Sequence, residues 1–111
     1  MRKKERLIHR YSNRKMYDTV SRAFITLGQV LSMVGRGIRV RVVDRASGVD
    51  ITNLIRIRAI ANEASRLARR MSRIASQDAS RLHEMAQELG RLTRELARLR
   101  RLVKKEAKDA G

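Results

Sequence analysis

Residues 10–27 decide the fold of the N-terminal half, and they read Arg-Tyr-Ser-Asn-Arg-Lys-Met-Tyr-Asp-Thr-Val-Ser-Arg-Ala-Phe-Ile-Thr-Leu. The turn-forming pair Ser12 and Asn13 lies between two short segments, residues 7–11 and residues 16–17, whose apolar and aromatic side chains favour β-strands. The simplest structure for this arrangement is a β-hairpin.

A helix is expected to follow the hairpin. The apolar, β-prone segment 23–25 precedes Thr26, and Gln29 follows Thr26 by three residues, which is the spacing of a capping box. The apolar residues of the predicted helix are Leu27, Val30, Leu31 and Val34. Gly35 and Gly37 are expected to end it.

A second pair of strands is predicted after this helix. In residues 38–43 apolar side chains alternate with Arg39 and Arg41, so one face of the strand is apolar and the other carries guanidinium groups. Residues 44–48 have turn chemistry and lead into a return strand at residues 49–51, after which Thr52 or Asn53 caps a new helix. The sequence therefore predicts an α+β head ordered β-β-α-β-β.

The same half of the chain carries polar, aromatic and glycine residues at fixed offsets: Tyr11, Asn13, Arg14, Lys15, Met16, Tyr17, Asp18, Thr19, Ser21, Phe24, Ile25, Thr26, Leu27, Gly37, Asp44, Ser47, Gly48, Asp50, Ile51 and Thr52. Over residues of about 7–55 this pattern resembles the DNA-binding domain of the polyhydroxyalkanoate (polyhydroxybutyrate) synthesis regulators. The resemblance implies a transcriptional regulator that binds double-stranded DNA and controls polymer-storage genes.

Charge and composition independently restrict the class of protein. The net charge is +16; residues 1–55 hold 12 basic and 4 acidic side chains, and residues 56–111 hold 15 and 7, so each half carries +8. Such an excess predicts a polyanionic partner, first nucleic acid and second an acidic membrane or acidic protein. The chain has no cysteine and only two histidines, His9 and His83, so we expect no metal site. The sequence contains no catalytic constellation and no glycine-rich phosphate loop, so we expect no cofactor and no enzymatic activity. No apolar run approaches a membrane span, which predicts a soluble, cytoplasmic protein.

The candidate DNA-binding residues lie in three places. Asn13, Arg14 and Lys15 occupy the predicted hairpin turn, Arg39 and Arg41 share one strand face, and residues 1–6 form a basic arm. Arginine and asparagine can bond base edges, and a two-stranded ribbon fits the major groove. In the arm, we expect Arg2, Lys3 and Lys4 to contact the phosphate backbone of the DNA. The alternatives are a solvated strand face, an Arg14–Asp18 ion pair and a frayed terminus.

The three aromatic residues, Tyr11, Tyr17 and Phe24, all lie in the first 24 residues. We interpret them as the core of a head that has no other large side chains, and we expect Met16, Leu27, Val30, Leu31 and Val34 to join this core. The alternative is that they stack on the bases of single-stranded nucleic acid.

The second half, residues 56–108, has a heptad pattern that predicts a coiled coil and a homo-oligomer. Its apolar seam comprises Ile57, Ile60, Leu67, Met71, Ile74, Leu82, Met85, Leu89, Leu92, Leu96, Leu99 and Val103. Two successive steps of four residues place Asp78 in this seam, which indicates a stutter within one continuous helix of roughly 50 residues, about 75 Å long. A hairpin that turns near residues 76–80 is the alternative.

Two functions remain open at this point. The first is a DNA-binding transcriptional regulator that is oligomeric through its coiled coil. The second is a structural or adaptor protein, in which the head serves oligomerisation or docking and the basic coiled coil recruits a partner protein. The positions of the head's cations separate the two, because a DNA reader needs them to converge on one surface.

Overall fold

A computed structural model describes residues 5–74 and 78–110, except for the side chain of residue 110. The chain divides into a first compact unit that ends at Ala59 and a second that begins at Ile60. The elements are β1 (Arg6–Arg10), β2 (Met16–Asp18), β3 (Ala23–Ile25), α1 (Leu27–Gly35), β4 (Val40–Asp44), α2 (Thr52–Arg73) and α3 (Ala79–Ala110).

The first unit, which we call the head, is built on one four-stranded sheet in the order β3-β2-β1-β4. β1 and β2 are antiparallel, as are β2 and β3, whereas β1 and β4 are parallel. A parallel pair needs a crossover connection, and α1 supplies it. This helix begins with the predicted capping box: the Thr26 side chain accepts from the Gln29 N–H, and the Gln29 side chain accepts from the Thr26 N–H. The predicted α+β class is therefore confirmed.

The order of elements along the chain differs from the predicted one: the head is β-β-β-α-β, whereas β-β-α-β-β was predicted. Ala23–Ile25 pairs along its whole length with β2. Residues 49–51 form only a single bridge, between Val43 and Asp50. The reason is that the Asp50 carboxylate accepts both the N–H and the hydroxyl of Thr52, which turns the chain into α2 before a strand can extend.

The core of the head is aliphatic. Its buried residues are Ile8, Met16, Val30, Met33, Val40, Val42, Ile51 and Ile55, with Leu27, Leu31 and Val34 partly buried against them. The core positions predicted for Met16 and for α1 are thus correct, but the predicted aromatic core is wrong. Tyr11 and Tyr17 are only half-buried, and Phe24 is 61% exposed. Met16, which sits between them in sequence, points to the other face of the sheet and fills the core instead.

The second unit, which we call the tail, is an interrupted helix, so the prediction of one continuous helix is wrong. α2 ends at Arg73, Ile74 and Asp78 are not helical, and α3 begins at Ala79. Asp78 caps α3, because its side chain accepts from the Arg81 N–H and its carbonyl accepts from the Leu82 N–H. The stutter interpretation of Asp78 fails for the same reason: its side chain serves a helix end. Residues 76 and 77 of the proposed turn lie outside the described residues.

The two tail helices fold back on each other as an antiparallel hairpin. Leu67 of α2 is buried in one cluster with Met85 and Leu92 of α3. Ile60, Ala64, Met71, Ile74 and Leu89 pack against this cluster. Leu67 and Met85 lie at equal sequence distances from residue 76, and so do Ile60 and Leu92, as expected for two helices that meet across a short connection. The alternative of a hairpin near residues 76–80 is therefore the correct one.

Candidate nucleic-acid interface

Side-chain alternation divides the head sheet into two faces. The packed face carries Ile8, Met16 and Val42, which are 0%, 3% and 1% exposed, and it is covered by α1 and the first turn of α2. The other face, which we call the open face, holds residues that pair across all four strands. They are Phe24 on β3, Tyr17 on β2, Leu7 and His9 on β1, and Arg41 and Val43 on β4. None of these six is buried.

The loop between β1 and β2 borders the open face. The Arg14 N–H donates to the Tyr11 carbonyl, and the Tyr11 N–H donates to the Lys15 carbonyl, which closes a three-residue hairpin loop. The side-chain amide oxygen of Asn13, Oδ1, accepts from the Lys15 N–H at 3.1 Å, so this oxygen stabilises the loop. Asn13 therefore presents its amide NH2 group, and not its full base-reading pair of groups, to a ligand.

Arg14 occupies the position of this loop that requires a left-handed backbone, with φ of 66°. A residue with a Cβ is strained there by about 1–2 kcal/mol, and glycine is the usual occupant. Among residues 5–74 and 78–110 the Arg14 guanidinium has no ion-pair partner, since Asp18 pairs with Arg6 instead. The alternative of an Arg14–Asp18 pair is therefore wrong. A strained, unpaired cation at the tip of the loop beside the open face is a candidate for ligand binding.

Arg41 is the basic residue of the open face itself. Its Nε lies 3.2 Å from Asp50 Oδ2, in a pair where both side chains are about half exposed. Exposed pairs of this kind contribute at most about 1 kcal/mol, so Arg41 can exchange Asp50 for a phosphate or a base edge. Arg39 is exposed and lies two residues earlier, at the same alternation as Arg41.

Much of the remaining motif builds turns rather than a binding surface. Asp18 Oδ1 accepts from the N–H groups of Val20 at 2.9 Å and Ser21 at 3.4 Å, and the Asp18 carbonyl accepts from the Arg22 N–H. Its other carboxylate oxygen lies 2.9 Å from Arg6 Nε, an ion pair without hydrogen-bond geometry. Burial raises the pKa of Asp18, but these hydrogen bonds and the Arg6 charge together hold the pKa below its ordinary value.

A second turn repeats this geometry at the other end of β1. Asp44 Oδ1 accepts from the N–H groups of Ala46 at 2.9 Å and Ser47 at 3.4 Å, and the Asp44 carbonyl accepts from the Gly48 N–H. Asp44 Oδ2 accepts from Arg10 Nη2 at 2.6 Å, and this bond lowers the pKa of Asp44. β1 thus carries an arginine at each end, and each one holds the carboxylate that organises a turn.

The structure brings together only some of the predicted DNA-binding residues. Arg14 and Lys15 lie on the loop beside the open face, and Arg41 lies on the face. Lys15 Nζ sits 5.6 Å from the centre of the Phe24 ring. Arg2, Lys3 and Lys4 of the predicted arm lie outside the described residues, and Arg6, also assigned to the arm, is the first residue of β1.

Sequence reasoning missed two contributors to this surface. Arg45 follows β4 directly, is exposed, and is tied to β1 because its N–H donates to the Arg10 carbonyl. It therefore lies at the same end of the sheet as the β1–β2 loop. The second contributor is the aromatic residues, which were interpreted as a core, with contact to nucleic acid only as the alternative. The alternation of Tyr17 with the buried Met16 and Asp18 was the signal that could have placed them outside.

Other kinds of site are not found in the described part of the chain. Residues 5–74 and 78–110 contain no group of three or more histidine or acidic side chains placed to hold a metal ion. Among the same residues, no helix combines the length and the apolar character needed to cross a bilayer.

An open sheet face with a basic loop, on a small α+β head, is a surface that can bind a nucleic acid. Comparison with known proteins agrees: residues 7–66 match the PHB/PHA accumulation regulator DNA-binding domain, and this chain belongs to that family. The family is one of DNA-binding regulators and not of enzymes.

One relative and the solved structures add less. An uncharacterized protein from Allochromatium vinosum is 41% identical over 59 residues, a stretch that covers 53% of this chain and 39% of the relative. The chain thus spans about two fifths of the length of that relative. No solved structure matches the chain.

Proposed function

We propose that this protein is a transcriptional regulator whose head reads a specific double-stranded DNA site, in the manner expected of a polyhydroxyalkanoate synthesis regulator. The observation that supports this most directly is Arg14, an unpaired cation held in a strained conformation at a loop tip within the matched region. Arg14, Lys15 and Arg45 lie at one end of the head sheet, and Arg41 lies on the adjoining open face opposite Leu7, an arrangement that favours a reader over an adaptor.

In this proposal the β1–β2 loop enters the major groove. Arg14 and Arg41 bond base edges, whereas Lys15, Arg39 and Arg45 contact phosphates together with Arg2, Lys3 and Lys4. An arginine that bonds a guanine edge contributes about 1–3 kcal/mol of discrimination, and a phosphate contact weakens binding to all sequences alike. The protein would act in the cytoplasm, where its DNA is found.

A mobility-shift titration tests the reading role. Arg14→Ala should lose preference for the DNA upstream of the protein's own gene over random DNA by about 5- to 150-fold, since 1.4 kcal/mol corresponds to tenfold. Arg22→Ala is a matched control, because Arg22 also has a left-handed backbone, with φ of 57°, but lies in the turn at the opposite end of the sheet. If both variants discriminate as the parent does, Arg14 is not a reader.

Phosphate contacts predict a different signature. Binding should weaken steeply with salt, and Lys3→Ala or Lys4→Ala should reduce affinity for specific and random DNA equally. Salt-independent binding would contradict a basic contact surface.

We propose that the tail makes the protein a homo-oligomer by pairing two helical hairpins into a bundle. The hairpin buries Leu67, Met85 and Leu92 within one chain, so the seam as a whole does not require a partner. Ile57, Leu82, Leu96 and Val103 stay half-buried within the chain, and a second hairpin can cover them. Paired heads would then contact two half-sites.

Light scattering tests the oligomer. The parent should have the mass of at least a dimer, and joint replacement of Leu82 and Leu96 by Asp should give a monomer with most of its helix content. Leu67→Asp is the contrasting variant, since it should disrupt the hairpin itself. A monomeric parent at micromolar concentration would refute the proposal.

If the protein were an adaptor, its tail would bind a partner protein through its exposed arginines. On α3 the pairs Glu88–Arg91 and Glu95–Arg98 neutralise part of the surface. The exposed arginines near the hairpin turn, Arg66, Arg69, Arg70, Arg73 and Arg81, outnumber the nearby carboxylates and could bind an acidic protein. Retention of full specific DNA binding by a chain in which these five are glutamine would assign the DNA contact to the head.

A further inference from the structure

We propose that the head has a second binding mode, in which the aromatic residues of the open face stack on the unpaired bases of single-stranded nucleic acid. This mode goes beyond duplex recognition, because a base can reach an aromatic face only when it has left its own stack. The proposal rests on the placement of the three aromatic residues.

All three aromatic residues meet at Phe24. The Phe24 and Tyr17 ring centres are 5.2 Å apart in an edge-to-face arrangement, and the Phe24 and Tyr11 centres are 6.2 Å apart. Tyr17 and Phe24 are also direct cross-strand partners, which fixes their spacing. The cluster is therefore preorganised by the sheet, although Phe24 remains 61% exposed.

A purely structural role explains this cluster less well. Cross-strand pairing alone is satisfied by β-branched residues, and the head builds its core entirely from aliphatic side chains and methionine. Placing the chain's only phenylalanine on the edge strand, mostly in water, adds little to packing. Phe24 differs from the other exposed apolar residues because it is clustered with two further rings, which together offer a face on which bases can stack.

The charge around the cluster selects nucleic acid as the occupant. Lys15 Nζ lies over the Phe24 ring, Arg14 is on the same loop, and Arg41 lies three strands away, roughly 14 Å at 4.8 Å per strand. Asp18 lies on the packed face, and Asp50 is engaged by Arg41. A cationic rim with aromatic rings between its members fits a strand whose phosphates run outside and whose bases point inward.

Single-stranded DNA and RNA share this chemistry. Both present base faces and phosphates, and RNA adds a 2′-hydroxyl. Labelled oligo(dT) and oligo(rU) of equal length, about 16 nucleotides to match one small domain, distinguish them by fluorescence anisotropy. A duplex of the same length serves as reference for the first binding mode.

The decisive variant removes the ring of Phe24 and keeps an apolar side chain at this position. Phe24→Leu should weaken oligo(dT) binding by about 5- to 150-fold, as expected for loss of one stacked base, while duplex affinity stays within about twofold. Val20→Ala is the matched control, because Val20 is likewise exposed, at 58%, but carries no ring. It should change neither affinity.

A second variant provides a signal that does not depend on affinity. The chain has no tryptophan, so Phe24→Trp introduces its single indole, whose emission should be quenched when a base stacks on it and should be unaffected by duplex. Circular dichroism establishes that each variant is folded. The proposal is overturned if Phe24→Leu binds oligo(dT) and oligo(rU) as the parent does, if it weakens duplex equally, or if the indole is not quenched. Failure of the proposed duplex reading would appear instead as unchanged discrimination between specific and random duplex by Arg14→Ala, whatever Phe24→Leu does to oligo(dT) binding.

Discussion

The two faces of the head sheet are made by the same short strands, yet they differ in almost every property. On β1 the buried Ile8 is followed by His9, and on β2 the buried Met16 is followed by Tyr17. One face is aliphatic and covered by α1 and α2; the other carries aromatic rings and guanidinium groups that contact water. Neighbouring residues of one strand therefore serve opposite purposes, stability on the packed face and binding on the open face.

Residue type alone is a poor guide to burial in so small a head. A chain of this size buries only about 60% of its unfolded surface when it folds. A few aliphatic side chains are therefore enough to fill its core. The largest side chains are then available for the surface. On the packed face Asp18 is buried at 1% exposure, although it is charged, because backbone N–H groups and Arg6 satisfy it.

The largest expected effect comes from emptying the packed face. Ile8 is fully buried, so Ile8→Ala should lower the free energy of unfolding by about 2–5 kcal/mol, through lost burial and the cavity that remains. The neighbouring His9→Ala on the open face should change it by less than about 1 kcal/mol. Urea unfolding followed by circular dichroism measures both. Equal losses for the two variants would contradict the division into faces.

Asp18 tests the polar part of the packed face. Asp18→Asn places an NH2 group or a weaker acceptor opposite Arg6 and the turn N–H groups, and should cost about 1–3 kcal/mol. Because the folded-state pKa is lowered from 3.8, the stabilisation by the carboxylate is complete above pH of about 4 and is lost as the pH falls through the folded-state value.

The stability gap between the parent and Asp18→Asn should therefore be constant near neutral pH and should close in acid. Unfolding curves at a series of pH values give this gap. A gap that widens on acidification would mean that the carboxylate is not stabilising the fold.

The tail offers a smaller effect that tests its own correction. Asp78 caps α3, so Asp78→Leu should lower stability by about 1 kcal/mol, seen as a lower melting temperature. A higher melting temperature would instead support a continuous helix with residue 78 in a coiled-coil seam. Asp109→Leu is the control, because Asp109 lies in the last turn of the same helix and its replacement should leave the cap intact.

Local signals explain how much of this structure the sequence could predict. The capping box at Thr26, the alternation around Arg41 and the turn at Ser12 and Asn13 depend on neighbouring residues, and each was correct. Strand pairing depends on distant partners: Ala23–Ile25 pairs along its length with β2, whereas residues 49–51 form a single bridge and the Asp50–Thr52 bonds then turn the chain into α2. The candidate site was predicted as loop and strand cations, but its aromatic part required knowing which face was covered.

The same limit applies to the tail. A heptad seam has one periodicity whether it pairs with another chain or with itself across a turn, so the pattern around Leu67 and Met85 could not separate the two. Asp78 and the polar residues beside it were compatible with both structures. Only the cluster that joins Leu67 to Met85 and Leu92 identifies the hairpin.

The smallest stability effect, and the sharpest test of the contrast between stability and binding, lies at the two left-handed arginines. Replacing Arg14 by Gly relieves strain of about 1–2 kcal/mol, partly offset by about 0.4–1 kcal/mol of added chain entropy in the unfolded state. Arg14→Gly should therefore raise the melting temperature by a few degrees and, at the same time, reduce discrimination between specific and random DNA.

Arg22→Gly is the matched control. Arg22 has the same left-handed backbone, and Gly48 occupies the equivalent position of the second turn. Arg22→Gly should therefore raise stability and leave DNA binding unchanged. Scanning calorimetry and mobility shifts on both variants separate the two properties. If Arg14→Gly destabilises the head, then the Arg14 side chain stabilises the fold, and its conformation no longer supports a role in DNA binding.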